Sequence, residues 1–209
     1  MADLFINDKK NILARIGRYE EEIRLELGCG NRKRHQDAVG IDMRDFACVD
    51  IQGDVYDVLQ RIPDRRISAI YSYHFFEHVN DVALLVREIA RILADDGLFF
   101  VVVPHFTNPY YYADCTHKTP FGLYSFSYFA RDTLFSRKVP HYQDSTAFNL
   151  EKVSLIFKSP RPFYTRWALK KMFQLIFNCC NYAKEFYEEN CCYLIPCYEI
   201  QFTLKKRHL

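Results

Sequence analysis

Residues 67–103 constrain the fold of this chain more than any other stretch. "ISAIYSYH" (67–74) is rich in β-branched and aromatic residues and reads as a strand. "NDVALLVREIARILADDG" (80–97) repeats Val82, Leu85, Val86, Ile89, Ile92 and Leu93 at helical spacing. Asn80 or Asp81 caps that helix and Gly97 ends it. "LFFVVV" (98–103) is almost wholly apolar, the composition of a central strand in a parallel sheet, and Pro104 stops it.

The same alternation runs through the first half. "IRLEL" (23–27) is a strand that ends at glycines, "AVGID" (38–42) is a second, and "CVDIQGDV" (48–55) holds a third. Beyond Pro104 the pattern changes. Residues 104–124 form a Tyr-, Pro- and His-rich loop, and "SFSYFARDTLF" (125–135) reads as a helix. "NLEKVSLIFKS" (149–159) and "CYEIQFTLKK" (197–206) alternate and suit an antiparallel pair closing the sheet, around an aromatic helical insert at 163–190. The fold class is therefore α/β: a Rossmann-like, doubly wound sheet, mostly parallel with an antiparallel C-terminal strand pair and helices on both faces. The 209 residues fit one domain, 1–209.

Ligands bind such sheets beyond the carboxyl ends of the strands, which selects 28–31, 42–45, 54–56, 73–78 and 104–118. In "LELGCGNRKRHQDAVGID" (25–42), Gly28-Cys29-Gly30 lets backbone approach a ligand with no Cβ in the way. Asp42, after the second strand, offers two acceptor oxygens to the two hydroxyls of a ribose. Glu26 and Asp54 add further acceptors. No G-x-x-x-x-G-K-[ST] cradle is present, and the full G-x-G-x-x-G of dinucleotide sites is missing. Only eleven residues separate Gly30 from Asp42. A cofactor with ribose and adenine but no phosphate fits this loop best.

"LELGCG", "VGID", "GDV", "YSYHFFEHV" and "REIARILADDGLFFVVVPHF" occur here in that order. Over about residues 20–160 the chain resembles the class I S-adenosylmethionine-dependent methyltransferases of the type-11 group. It is most similar to small bacterial and archaeal members with a shortened first crossover, through Glu77-His78, Pro104-His105-Phe106, "DCTHKTPF" (114–121) and "PCYEIQFTL" (196–204). The resemblance implies S-adenosyl-L-methionine as the cofactor. It implies that Glu26, Gly28, Cys29 and Gly30 line the methionine end, that Asp42 takes the ribose hydroxyls and that Met43 covers the adenine. Asp54 would accept from the adenine amino group beside Val55, and Tyr73 and His74 would lie along the methionine and sulfonium.

Methyl transfer rests largely on positioning, but an oxygen nucleophile also has to lose a proton. The candidate catalytic residues are His105, His117, Asp114, Glu77 and His78, with Asp114 orienting His117 as an acid–imidazole pair. No ligand spacing on one helix marks a metal site, so none is expected. Phe106, Tyr110, Tyr111, Tyr112 and Phe121 offer an aromatic wall to an acceptor. The expected reaction is methyl transfer to an oxygen of a small-molecule or glycan-type acceptor, with a link to polysaccharide biosynthesis that rests on the subgroup resemblance. Two other readings stay open: a non-catalytic cofactor-binding protein on the same fold, and a nicotinamide-dependent oxidoreductase.

"TNPYY" (107–111) is similar to the N-P-P-Y of DNA amino-methyltransferases, but it lacks the second proline and follows the fifth strand. With a formal charge of +2, no nucleic-acid partner is expected. The charge is uneven: 18 Lys/Arg against 21 Asp/Glu in 1–150, and 10 against 5 in 151–209. Leu169, Met172, Phe173 and Ile176 lie on one side of the insert, with Arg166, Lys170 and Lys171 on another. That pattern suits a lid, a dimer contact, or peripheral membrane contact through 163–178. The eight cysteines lack a C-x-x-C pair, and the first twenty residues do not read as a signal peptide. Reduced, mostly buried thiols and a cytoplasmic setting are the expectation.

Overall fold

The computed structural model describes residues 5–16, 22–140, 147–159 and 162–208. Its strands are β1 (Asn7–Asp8), β2 (Ile23–Leu27), β3 (Val39–Asp42), β4 (Ile51–Gln52), β5 (Ile67–Tyr73), β6 (Leu93–Pro104), β7 (Ala130–Arg131), β8 (Phe148–Ile156) and β9 (Glu199–Lys206). Its helices are α1 (Ile12–Ile16), α2 (Val55–Gln60), α3 (Val82–Ile92), α4 (Tyr164–Phe177) and α5 (Asn181–Phe186). Among the described residues the strands form one sheet of nine, ordered β1-β4-β3-β2-β5-β6-β9-β8-β7. The ladders from β4 through β6 are parallel, and β9 runs antiparallel to both β6 and β8. The mixed sheet with its antiparallel C-terminal pair is the one the sequence pattern implies.

Alternation explains which face is buried. Leu25, Leu27, Ile70, Phe99 and Val101 share one core with Leu85, Val86 and Ile89 of α3. Asp81 caps α3, its Oδ1 accepting from the Leu84 amide at 2.8 Å. The helix ends earlier than Gly97. Leu93 is already extended at ψ 135°, and the ladder slips so that Ile67 faces Leu93 and Ala69 faces Leu98. The slip absorbs "ADDG" as a bulge, with Asp96 at φ 60°.

Two other expectations give way. Inside 48–55 only Ile51–Gln52 is strand, because Asp54 caps α2 by accepting from the Tyr56 amide at 2.8 Å. Residues 125–135 form no α-helix. A 3₁₀ turn at Ser125–Tyr128 leads into β7, since Phe126 packs as an anchor among Phe76, Phe99 and Phe202.

The face carrying Glu26, Tyr71 and Tyr73 is covered by the short crossover itself. His35 stacks on Tyr71 at 3.6 Å and bonds the Tyr73 hydroxyl at 2.7 Å, while Arg34 lies over the Tyr73 ring at 4.2 Å. Residues 1–20 are described only in part. Of these, Ile12–Ile16 form α1, and 1–4 and 17–20 lie outside the described residues. The insert is helical as expected, but of α4 only Phe177 is buried. No helix among the described residues is long and apolar enough to cross a membrane. All eight cysteines are free; Cys29, Cys192 and Cys197 are buried, whereas Cys115, Cys179 and Cys180 are exposed, contrary to the expectation of mostly buried thiols.

Candidate functional site

Strand order reverses between β2 and β5, because successive strands run outward from β2 through β3 and from β5 through β6. The crevice beyond the carboxyl ends of β2 and β5 is therefore the topological switch point. Gly28–Gly30 and His74–His78 both lie there.

The glycine turn is clasped to β3. The Gly28 and Cys29 amides donate to the Ile41 carbonyl, and the Gly30 amide donates to Asp42 Oδ2 at 2.9 Å. Asp42 Oδ1 accepts from the Arg44 amide at 2.8 Å. Each oxygen keeps a lone pair for a further donor. Gly28 and Gly30 both adopt left-handed φ, +64° and +58°. A Cβ on Gly28 would meet the Phe75 ring at 2.4 Å, whereas one on Gly30 would meet nothing within 4 Å. Gly30 thus borders open space that a ligand can fill, with the Asp42 carboxylate behind it and exposed Met43 beside it. Burial pushes the Cys29 thiol up to about 12, helped by Cys48 and Asp42, so it lies there as an uncharged group.

Other cofactor candidates hold the frame. Glu26 is buried and accepts from the Arg34 and His35 amides, so it anchors the crossover. Asp54 caps α2 and Val55 is buried at its start. The Tyr73 hydroxyl is engaged by His35. His74, at φ 52°, sits 3.2 Å from Glu199 Oε2 and 3.5 Å from Glu77 Oε1. Burial would lower its pKa, but the two carboxylates outweigh burial and raise it to about 9, so His74 is a cation at neutral pH.

On the acceptor side four of the five candidates meet. The Lys118 amide donates to the Glu77 carbonyl at 2.7 Å, folding loop 114–118 back onto the end of β5. The His78 and His117 rings lie 4.8 Å apart. The expected Asp114–His117 pair does not form as a hydrogen bond, since His117 Nε2 is 3.7 Å from Asp114 Oδ2. His117 Nδ1 instead bonds the Tyr111 carbonyl at 2.8 Å. Asp114 accepts from Thr116 Oγ1, which in turn meets His78 Nδ1 at 2.9 Å. These Thr116 bonds hold the Asp114 carboxyl below its ordinary range.

His105 stands apart. It is 0% exposed, with Nδ1 on Thr107 Oγ1 at 2.7 Å and Nε2 on Glu188 Oε2 at 2.8 Å. Of the aromatic wall, Tyr110 and Tyr112 are exposed, while Tyr111 and Phe121 fill the core.

Sequence reasoning missed Asp50, Glu188 and Glu199. Asp50 ties Lys10, Lys33 and the Gly40 amide together under the crossover. No spacing rule marks these carboxylates, because their partners lie far away in sequence. A hollow of ≈ 680 Å³ between Arg24, Arg66, Tyr71 and Asp95 lies at the other end of the strands and contains none of the site residues.

This fold, with a glycine turn after β2 beside an acid at the end of β3, is one that solved S-adenosylmethionine-dependent methyltransferases share. Residues 25–101 match the family model described as a methyltransferase domain. A S-adenosylmethionine-dependent methyltransferase from Archaeoglobus fulgidus superposes with a TM-score of 0.56 at 16% identity, covering 93% of each chain. The YcgJ protein from Bacillus subtilis gives 0.52 at 16% identity, over 95% of this chain and 97% of that one. Phosphoethanolamine N-methyltransferase 2 from Haemonchus contortus, solved with S-adenosyl-L-methionine, gives 0.54 at 14% identity; 94% of this chain aligns with 51% of that enzyme. Among curated proteins no match is found.

Proposed function

We propose that this protein is a methyltransferase that binds S-adenosyl-L-methionine in the crevice at Gly30 and Asp42 and methylates an oxygen of a small-molecule or glycan-type acceptor. The observation that carries the reading is the pairing of an open glycine turn and a half-satisfied carboxylate with a Glu77–His78–His117 cluster at the end of the neighbouring strand. Asp42 would hold the ribose hydroxyls, and the glycine turn would admit the methionine end. The cofactor supplies a sulfonium methyl group, whose carbon–sulfur bond breaks as the acceptor oxygen forms the new carbon–oxygen bond and the electron pair stays on sulfur. The chain's part is to orient the acceptor, exclude water and take the hydroxyl proton. His117 would take that proton; the Tyr111 carbonyl bonded to its Nδ1 leaves Nε2 as the acceptor, which supports the role. Exposed Tyr110 and Tyr112 offer rings to a sugar or planar acceptor. In this reading the protein works in the cytoplasm, with polysaccharide precursors as one acceptor class and no nucleic-acid partner.

Incubation with S-adenosyl-L-methionine and a panel of hydroxylated acceptors should release S-adenosylhomocysteine. Calorimetry separates the other readings. Binding of NAD without S-adenosyl-L-methionine would overturn the proposal in favour of an oxidoreductase. Tight cofactor binding without turnover on any acceptor class would favour a non-catalytic protein.

A further inference from the structure

We infer that Glu77, His78 and His117 form a binding site for a divalent transition-metal ion beside the cofactor crevice. One ligand atom from each lies within 4.8 Å of the other two. An ion about 2.1 Å from each ligand brings ligand atoms to roughly 4 Å or less, so small side-chain rotations close the site.

Two independent features point to a ligand. Glu77 is 1% exposed, yet neither of its carboxylate oxygens has a hydrogen-bond partner; its nearest charge is His74 at 3.5 Å. His74, itself cationic, faces Oε1 from beyond ordinary hydrogen-bond reach, which leaves Oε2 for a second cation. The imidazoles are also set as metal-ligating histidines are. His117 donates Nδ1–H to the Tyr111 carbonyl. His78 Nδ1 meets Thr116 Oγ1, whose own proton goes to Asp114, so His78 is the donor in that bond. Both tautomers are thereby fixed with the Nε2 lone pairs free, held by a carbonyl and by a hydroxyl–carboxylate relay.

Two imidazoles and one carboxylate suit zinc, manganese, cobalt or ferrous iron better than magnesium or calcium. Three protein ligands leave positions open, as in sites that bind substrate. Resting on the proposed reaction, the acceptor class narrows to hydroxyl compounds that can coordinate a cation, such as vicinal diols. A coordinated hydroxyl loses its proton at lower pH. With the ion bound, His117 is a ligand in place of the base it provides in the metal-free site, and the proton passes to solvent.

The test is calorimetry and visible spectroscopy of the chelator-treated full chain titrated with Co²⁺. One equivalent should bind, with d–d absorption and no thiolate charge-transfer band. His117→Ala, His78→Ala and the isosteric Glu77→Gln should each weaken binding at least about tenfold, and Thr116→Val about 10–100-fold. Metal-free melting curves confirm that each variant folds. Absence of stoichiometric binding, or binding that persists in all three ligand variants, overturns the site. S-adenosylmethionine titration of the same samples keeps the two ideas separable. In the unsubstituted chain, absence of cobalt binding with cofactor binding intact sinks only the metal site, and the converse sinks only the methyltransferase reading.

A different observation carries a second inference. Residues 152–184 contain seven Lys and Arg and no Asp or Glu. Within them, α4 exposes Trp167, Leu169, Met172, Leu175 and Ile176. We propose that this helix, through 163–178, lies on an anionic membrane surface. Aromatic and aliphatic side chains suit the headgroup boundary, and the cations complement its charge. A two-fold contact through α4, which carries Arg166 and Lys171 and no acidic residue, would instead set like charges against each other. Trp167 is the single tryptophan and reports directly. Its emission should shift to shorter wavelength, and the protein should co-sediment, with phosphatidylglycerol vesicles but not phosphatidylcholine vesicles. High salt or the pair R166E and K171E should abolish both. No response to anionic vesicles, or burial of Trp167 in a concentration-dependent dimer, overturns the proposal.

Discussion

His105 Nε2 lies 2.8 Å from Glu188 Oε2, although the two residues are 83 positions apart. The other Glu188 oxygen accepts from the Leu123 amide. One carboxylate therefore ties the end of β6, the acceptor loop and the helical insert together. His105 is a positioning residue in this arrangement, sealed from the crevice. His105→Gln should lower unfolding free energy by about 1–3 kcal/mol, the usual effect of leaving a buried partner unsatisfied. Urea denaturation measures it. Turnover should fall only with the folded fraction; abolished turnover at full stability would return His105 to the chemistry.

The two glycines of the turn should respond differently to alanine. In Gly28→Ala the new methyl meets the Phe75 ring at 2.4 Å on a backbone that already disfavours a side chain, so the variant should melt well below the parent. Gly30→Ala meets open space and carries only the left-handed backbone penalty, roughly 1–2 kcal/mol. Its larger effect should be weaker cofactor binding, because the methyl occupies room the ligand uses. Paired melting and calorimetry distinguish the two.

Asp42→Ala removes both the clasp on Gly30 and the expected ribose acceptors. Affinity for S-adenosylhomocysteine should fall by roughly 2–4 kcal/mol, the loss of two charge-assisted hydrogen bonds. Unchanged affinity by calorimetry would place the ligand elsewhere.

Asp50 links acid stability to the crossover. Burial alone would raise its pKa. Hydrogen bonds from Lys10 and Lys33 and from the Gly40 amide outweigh burial and hold the carboxyl below its ordinary 3.8. The folded pKa is depressed, so the stabilisation is present above the unfolded value of 3.8 and is lost as pH falls through the lower folded value. Asp50→Asn should be less stable at neutral pH and should lose less stability than the parent on acidification. Melting temperature against pH would reveal equal slopes if Asp50 plays no such part.

The sequence by itself determined the alternating order of strands and helices, the antiparallel ending and the glycine turn facing an acid. Each follows from local causes: side-chain period, capping residues and the conformational freedom of glycine. Tertiary structure decided what each side chain at the strand ends does. It withdrew His105 into the core, set His117 against a carbonyl instead of Asp114, and bound Glu26 to the crossover amides. It also turned eleven residues into a cover by stacking His35 on Tyr71, and left α4 almost wholly unburied. Those outcomes rest on partners tens of residues away, and no periodicity carries information over that distance. A carboxylate left without a hydrogen bond beside two oriented imidazoles is legible only once the chain has folded.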